Sequence, residues 1–152
     1  MATHTAPDRT AVFFDCDGTL LEFTRPYGEI IAETLAEHLG TAPDDLVRVY
    51  DEAFYDAFSA VEPEPVLCGM RAVREAAIDG THGDVDPAAS DPRSMDPAAM
   101  VETLHEAELS MVEPAAGAAA LLDGLETCHV GVLTNGVPDW QRSKLAHHGL
   151  LV

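Results

Sequence analysis

The sequence predicts an α/β fold, with two parallel strands separated by a long helical block. Two observations carry this. Ala11-Val12-Phe13-Phe14 and Cys128-His129-Val130-Gly131-Val132-Leu133 are short apolar runs that stop at small or polar residues, the form of strands buried in a parallel sheet. Between them, segment after segment repeats apolar residues at helical spacing and is punctuated by Pro and Gly.

The first strand runs into Asp15, Cys16, Asp17, Gly18, Thr19 and Leu20. Alternate side chains of an extended segment point the same way, so Asp15 and Asp17 can converge on one site while Cys16 points away. Gly18 lets the backbone leave the strand in a conformation that other residues resist. Two neighbouring carboxylates are an unfavourable cluster of like charge. A hard cation such as Mg2+, which takes oxygen ligands, relieves it. An acidic turn would use the same residues.

The helical block follows. Thr24 to Gly40 reads as a helix with Pro26 near its start and Gly40 as its stop. Pro43 to Ala60 carries Leu46, Val49, Tyr50, Ala53, Phe54, Ala57 and Phe58 on one face. Phe54, Tyr55 and Phe58 suit that core better than a substrate pocket. Pro65 to Asp79 is a third helix, closed by Gly80. Thr81 to Ser94, rich in Asp, Pro, Gly and Ser, reads as a loop. Asp96 caps a fourth helix with Pro97 at its first position, running to about Val112. Pro114 to Glu126 is the helix that feeds the second strand.

That second strand ends in Thr134, Asn135 and Gly136. In an open parallel sheet ligands bind beyond the carboxyl ends of the strands, so both strand ends face one crevice. Thr134 offers an O–H donor, and the backbone at Asn135 and Gly136 can present N–H groups to an anion. Pro138 suits the first turn of a helix whose positive end lies toward the same place. An ordinary Asn-Gly turn is the alternative. Carboxylates for a metal beside donors for an anion indicate phosphoryl chemistry.

Asp15-Cys16-Asp17-Gly18-Thr19-Leu20 resembles the first motif of the haloacid dehalogenase (HAD) superfamily of hydrolases, and Leu133-Thr134-Asn135-Gly136 resembles its second. Gln141-Arg142-Ser143-Lys144-Leu145 with Gly149-Leu150 is similar to the helix that follows in many members. The resemblance implies a HAD-type Rossmann-like core, here incomplete and limited to its first two parallel strands, over residues 1–22 and 113–152. An inserted α-helical cap would occupy residues 23–112 and gate access to the site. It also implies roles. Asp15 would attack phosphorus as the nucleophile and Asp17 would serve as general acid and base. Mg2+ would be held by the Asp15 carboxylate and the Asp17 backbone carbonyl, and Thr134, Asn135 and Gly136 would bind the phosphoryl group. Members that cleave carbon–halogen bonds generally lack the second Asp, so Asp17 favours a phosphatase of small phosphorylated metabolites.

Members continue with a third motif, a lysine, and a fourth, a strand ending in acidic residues. The sequence stops at Val152 before either. Lys144, the sole lysine, reads as a solvated residue two to three turns into its helix. The expectation is an amino-terminal portion of a longer hydrolase, or a chain completed by a second polypeptide. Two alternatives stay open: a catalytically inactive fragment that binds phosphate or a partner chain, and a sugar-phosphate mutase with the same two aspartates.

Of 152 residues, 27 are acidic and 8 are basic, for a formal net charge of -19. Such a surface argues against nucleic acid or anionic membranes as partners. The acids are scattered along amphipathic helices rather than gathered in a tail, as in proteins of salt-loving microbes, where molar salt screens self-repulsion. Cys16, Cys68 and Cys128 lack metal or disulfide spacing and read as small buried residues in a reducing cytoplasm. His147-His148 reads as an exposed pair at a helix end. No signal peptide or membrane-spanning run is apparent, so a cytoplasmic location is expected.

Overall fold

Among the residues described by the computed structural model, 10–80 and 91–151, four short strands form two separate pairs. Residues 81–90 of the expected loop, and 1–9 and 152 of the expected core, lie outside the described residues. β1 (Ala11–Phe14), β2 (Leu21–Phe23), β3 (Val112–Pro114) and β4 (His129–Val132) are joined through α1 (Tyr27–Leu39), α2 (Asp44–Ser59), α3 (Pro65–Asp79), α4 (Pro97–Met111) and α5 (Ala118–Asp123), with α6 (Pro138–His147) last. β1 and β4 are parallel, with Ala11 opposite His129 and Phe14 opposite Val132. β2 and β3 are antiparallel, with Glu22 opposite Glu113. The chain divides into two units, residues 10–24 with 109–151 and residues 25–108 as far as they are described.

The α/β unit carries one buried cluster, built from Cys16 and Leu20 of the loop after β1, Leu21 of β2, Ala118 and Leu122 of α5, Leu145 of α6, and Leu150. Phe14 and Val130 pack against it half-buried. Neither strand of the parallel pair is the fully buried strand expected. Phe13 is 66% exposed, its ring lying over Gly131, where an added Cβ would fall 2.8 Å from Phe13 Cε1. The reason is layering: the core cluster covers one face of the pair, so alternation turns Ala11 and Phe13 outward. Cys16 is buried as expected, whereas Cys68 and Cys128 are only half-buried, and all three are free thiols.

The β2–β3 pair has no counterpart in the sequence reading. Each strand has three residues, too short for a period, and their pairing spans the whole helical block. It displaces two expected helix starts. Thr24 continues the pairing, donating to the Met111 carbonyl from its N–H at 2.9 Å and its hydroxyl at 3.1 Å, so α1 begins at Tyr27, after Pro26. Pro114 belongs to β3 and Gly117 sits at φ +86°, so α5 begins only at Ala118.

The helical unit buries Ile30, Ile31, Leu35, Leu46, Tyr50, Met70, Val73, Met100 and Leu104, each at most 1% exposed. α3 keeps its expected bounds, and the Asp96 carboxylate accepts the Ala98 N–H at 2.9 Å, as an N-terminal cap should. Tyr50 stacks on Phe54 with ring centroids 5.9 Å apart, and Phe54 on Phe58 at 5.6 Å. Tyr55 departs from the expected core. It lies about 100° around the helix from Phe54 and is 62% exposed. The Tyr27 hydroxyl donates to buried Glu108 at 3.4 Å, and burial pushes the Tyr27 and Tyr50 phenols above the usual tyrosine range.

α2 and α3 come close together at a glycine. A Cβ on Gly69 would fall 2.7 Å from Tyr50 Cδ2 and 3.2 Å from the Tyr50 carbonyl oxygen. Gly69→Ala is therefore expected to destabilise the protein by about 1–3 kcal/mol through overpacking. A shift of the urea midpoint to lower concentration would show it, and an unshifted midpoint would mean that the ring has room to move.

Candidate active site

β1 and β4 end side by side. The Leu133 N–H donates to the Phe14 carbonyl at 2.8 Å, so the residues that follow each strand leave from the same end of the pair. The chain then wraps around a single acceptor: the Cys16 carbonyl receives the N–H groups of Leu20 at 2.9 Å and Leu21 at 3.0 Å. Gly18, at φ +75°, makes that turn possible and donates to the Leu21 carbonyl at 2.7 Å. Cys16 is thereby driven into the core, and the flanking carboxylates are left outside it: Asp15 is exposed and Asp17 half-buried.

The two carboxylates have different surroundings. Asp15 Oδ1 accepts the Cys16 N–H at 2.7 Å. Asp17 is engaged at both oxygens by α6: Lys144 Nζ donates to Oδ1 at 2.6 Å, and Gln141 Nε2 to Oδ2 at 2.6 Å. Lys144 is not the solvated residue expected. Its side chain is 2% exposed, against 35% for Asp17, and its Nζ lies 5.2 Å from the centroid of the Phe23 ring. The expectation placed the site at the helix start. The Cys16–Leu21 loop instead packs along the helix, with Leu20, Leu21 and Leu145 in one cluster, and this brings Asp17 beside the second turn.

At the other strand end, the Thr134 hydroxyl oxygen accepts the Gly136 N–H at 3.1 Å. One of the two backbone donors expected to face an anion is thus used within the turn, while the Thr134 O–H hydrogen remains available to donate. Asn135 is exposed. Pro138 opens α6 as expected. A cleft of about 450 Å³ borders this end, lined mainly by apolar residues such as Leu122, Val130, Leu133, Leu145 and Leu150, with Thr134, Gly136, Gln141 and Arg142 supplying its polar part. Asp15 and Asp17 do not line it, so its volume is no measure of the space at the carboxylates.

Among the described residues no group of three or more His, Cys, Asp and Glu is arranged to hold a metal ion. His147 and His148 stack edge to face at 4.9 Å, His147 exposed and His148 half-buried. The donors at the β1 end are all oxygen, from the Asp15 carboxylate and the carbonyls of its loop. That set fits Mg2+, which keeps several waters and is commonly held by only one or two carboxylates.

Sequence reasoning missed Gln141 and the burial of Lys144. The signal was present in their spacing, because residues three apart on a helix share a face and Lys144 is the sole lysine in a chain of charge -19.

The family model for haloacid dehalogenase-like hydrolases matches residues 10–151. Among solved structures, the chain is similar to L-2-haloacid dehalogenase from Xanthobacter autotrophicus, at 20% identity and a TM-score of 0.47. It is similar also to that enzyme with chloropropionic acid covalently bound, at 19% identity and a TM-score of 0.48. In both cases 93% of this chain is covered, and it spans 53% of the other chain. No curated protein gives a significant match. Among the described residues no helix is long and apolar enough to cross a membrane.

Proposed function

The chain belongs to the haloacid dehalogenase-like hydrolases, and from that premise we propose that its site is that of a Mg2+-dependent phosphatase of small phosphate monoesters. The observation that carries the reading is the second carboxylate. Asp17 stands two residues beyond Asp15 and is tied to α6 by two short hydrogen bonds. Hydrolysis of a carbon–halogen bond needs no acid for its halide leaving group, whereas an alkoxide leaves far more readily with a proton supplied.

In this reading an Asp15 carboxylate oxygen attacks phosphorus, and the bond from phosphorus to the ester oxygen breaks. Asp17 delivers a proton to the departing alkoxide. The aspartyl-phosphate on Asp15 is then hydrolysed by water, from which Asp17 takes a proton, returning Asp15 and releasing inorganic phosphate. Thr134, with the Asn135 amide and the Gly136 backbone, would hold the phosphoryl oxygens. Mg2+ would be held by the Asp15 carboxylate and the Asp17 backbone carbonyl, and when bound would offset phosphoryl negative charge. The helical unit, residues 23–112 in the sequence reading, would act as the cap.

The negative charge supports a small metabolite over nucleic acid or a membrane surface, and function in concentrated salt, as would suit the cytoplasm of a salt-loving cell. A second polypeptide or further chain would complete the sheet by adding strands at the edges of the β1–β4 pair. A sugar phosphate incubated with the protein and Mg2+ is expected to yield free phosphate. An isomerised sugar phosphate would make the protein a mutase, and release of chloride from 2-chloropropionate without phosphate release would make it a dehalogenase.

A further inference from the structure

Gln141 and Lys144 have no part in the reaction as drawn, yet they occupy an arrangement that packing alone would not select. Gln141 is 6% exposed and Lys144 is 1% exposed, positions where an apolar side chain of similar size is often more favourable than a polar one. Both nevertheless reach the same carboxylate, one to each oxygen. Gln141 presents Nε2 to Asp17 Oδ2. That leaves Gln141 Oε1 buried without a hydrogen-bond partner, an unfavourable state for an amide carbonyl.

The backbone makes room for this. A Cβ on Gly136 would fall 1.9 Å from Gln141 Nε2 and 2.7 Å from its Cδ, so the glycine after Asn135 is the opening through which the Gln141 arm passes. Lys144 does not line the adjoining cleft, whereas Gln141 does. The hydrogen bond from Lys144 Nζ to Asp17 Oδ1, at 2.6 Å, is the route by which Lys144 would act on the site.

We propose that Gln141 and Lys144 are positioning residues that hold the Asp17 carboxylate in one orientation for its acid–base work, with Gly136 admitting the Gln141 arm. A carboxylate fastened at both oxygens cannot rotate, and misplacement of a reacting group by about 1 Å can cost 100-fold in rate. This deepens the phosphatase reading and rests on it.

The test uses p-nitrophenyl phosphate with Mg2+ in molar KCl. Lys144→Met, folded by circular dichroism, is expected to lower kcat by about 100-fold while KM stays within about threefold. In an Asp17→Asn background the same substitution should change the residual kcat by less than about twofold, because a residue acting only through Asp17 has nothing left to position. A raised KM with intact kcat would make Lys144 a substrate anchor and overturn the proposal, as would effects that multiply.

A second measurement is independent of turnover. Lys144 is the sole lysine, so protein labelled with 15N-lysine carries one side-chain amine resonance. That resonance should shift on Asp17→Asn, and an identical resonance in both proteins overturns the clamp. No turnover by the folded wild-type protein overturns the phosphatase reading, and the positioning role with it. Wild-type turnover that Lys144→Met retains in full overturns the positioning role alone.

Discussion

Asp15→Asn is expected to remove Mg2+-dependent phosphate release almost completely, by about 10⁴-fold or more, as loss of a nucleophile generally does. The fold should be unaffected. Asp15 is exposed, and its one described hydrogen bond is from the neighbouring Cys16 N–H, which the Asn carbonyl oxygen can also accept. An amide oxygen is a poor nucleophile toward phosphorus, so the loss should fall on kcat rather than on binding. Steady-state kinetics with thermal unfolding alongside would separate the two. A folded Asp15→Asn protein with wild-type kcat would remove Asp15 from the chemistry.

Asp17→Ala should instead damage stability. The Lys144 side chain is 2% exposed and gives its Nζ to Asp17, so removing the carboxylate takes away the anionic partner of a buried cation. Breaking a buried pair in this way generally destabilises by about 3–5 kcal/mol. Because Asp17 is 35% exposed, solvent screening reduces the expected loss to about 2 kcal/mol. Adding Lys144→Met should recover at least half of it, since removing both partners leaves no charge to desolvate. Urea midpoints of the wild type, the two single variants and the double variant would measure the coupling. Additive losses would mean that the pair does not stabilise the fold.

The strand–loop–strand frame of the site was legible because its signals are local. Apolar runs marked β1 and β4, and Gly18 marked the turn that follows Asp15 and Asp17. The bounds of α3 followed from Pro65 and Gly80, each placed where helix ends tolerate them. What escaped depended on contacts between distant residues. The β2–β3 pair joins segments on either side of the helical block. The exposure of Phe13 depends on how many layers cover the sheet, which its own apolar character does not reveal. Lys144 was misjudged for a related reason: lysine is usually solvated, and only the path of the Cys16–Leu21 loop along α6 brings a carboxylate to it.

The site, as proposed, would join three kinds of residue. Asp15 and Asp17 are set by the turn after β1, Thr134 to Gly136 by the end of β4, and Gln141 and Lys144 by one face of α6. The third set links the first two, because α6 starts just beyond Gly136 and its donors end on Asp17. A substitution on that helix face can thus disturb the carboxylate without touching either strand.

The most direct test of the central claim is release of p-nitrophenol from p-nitrophenyl phosphate in molar KCl, with and without Mg2+, by the wild type and Asp15→Asn. Circular dichroism would confirm that both are folded. The account predicts turnover that requires both Mg2+ and Asp15. Folded wild-type protein with no Mg2+-dependent turnover, or equal turnover by Asp15→Asn, would contradict it.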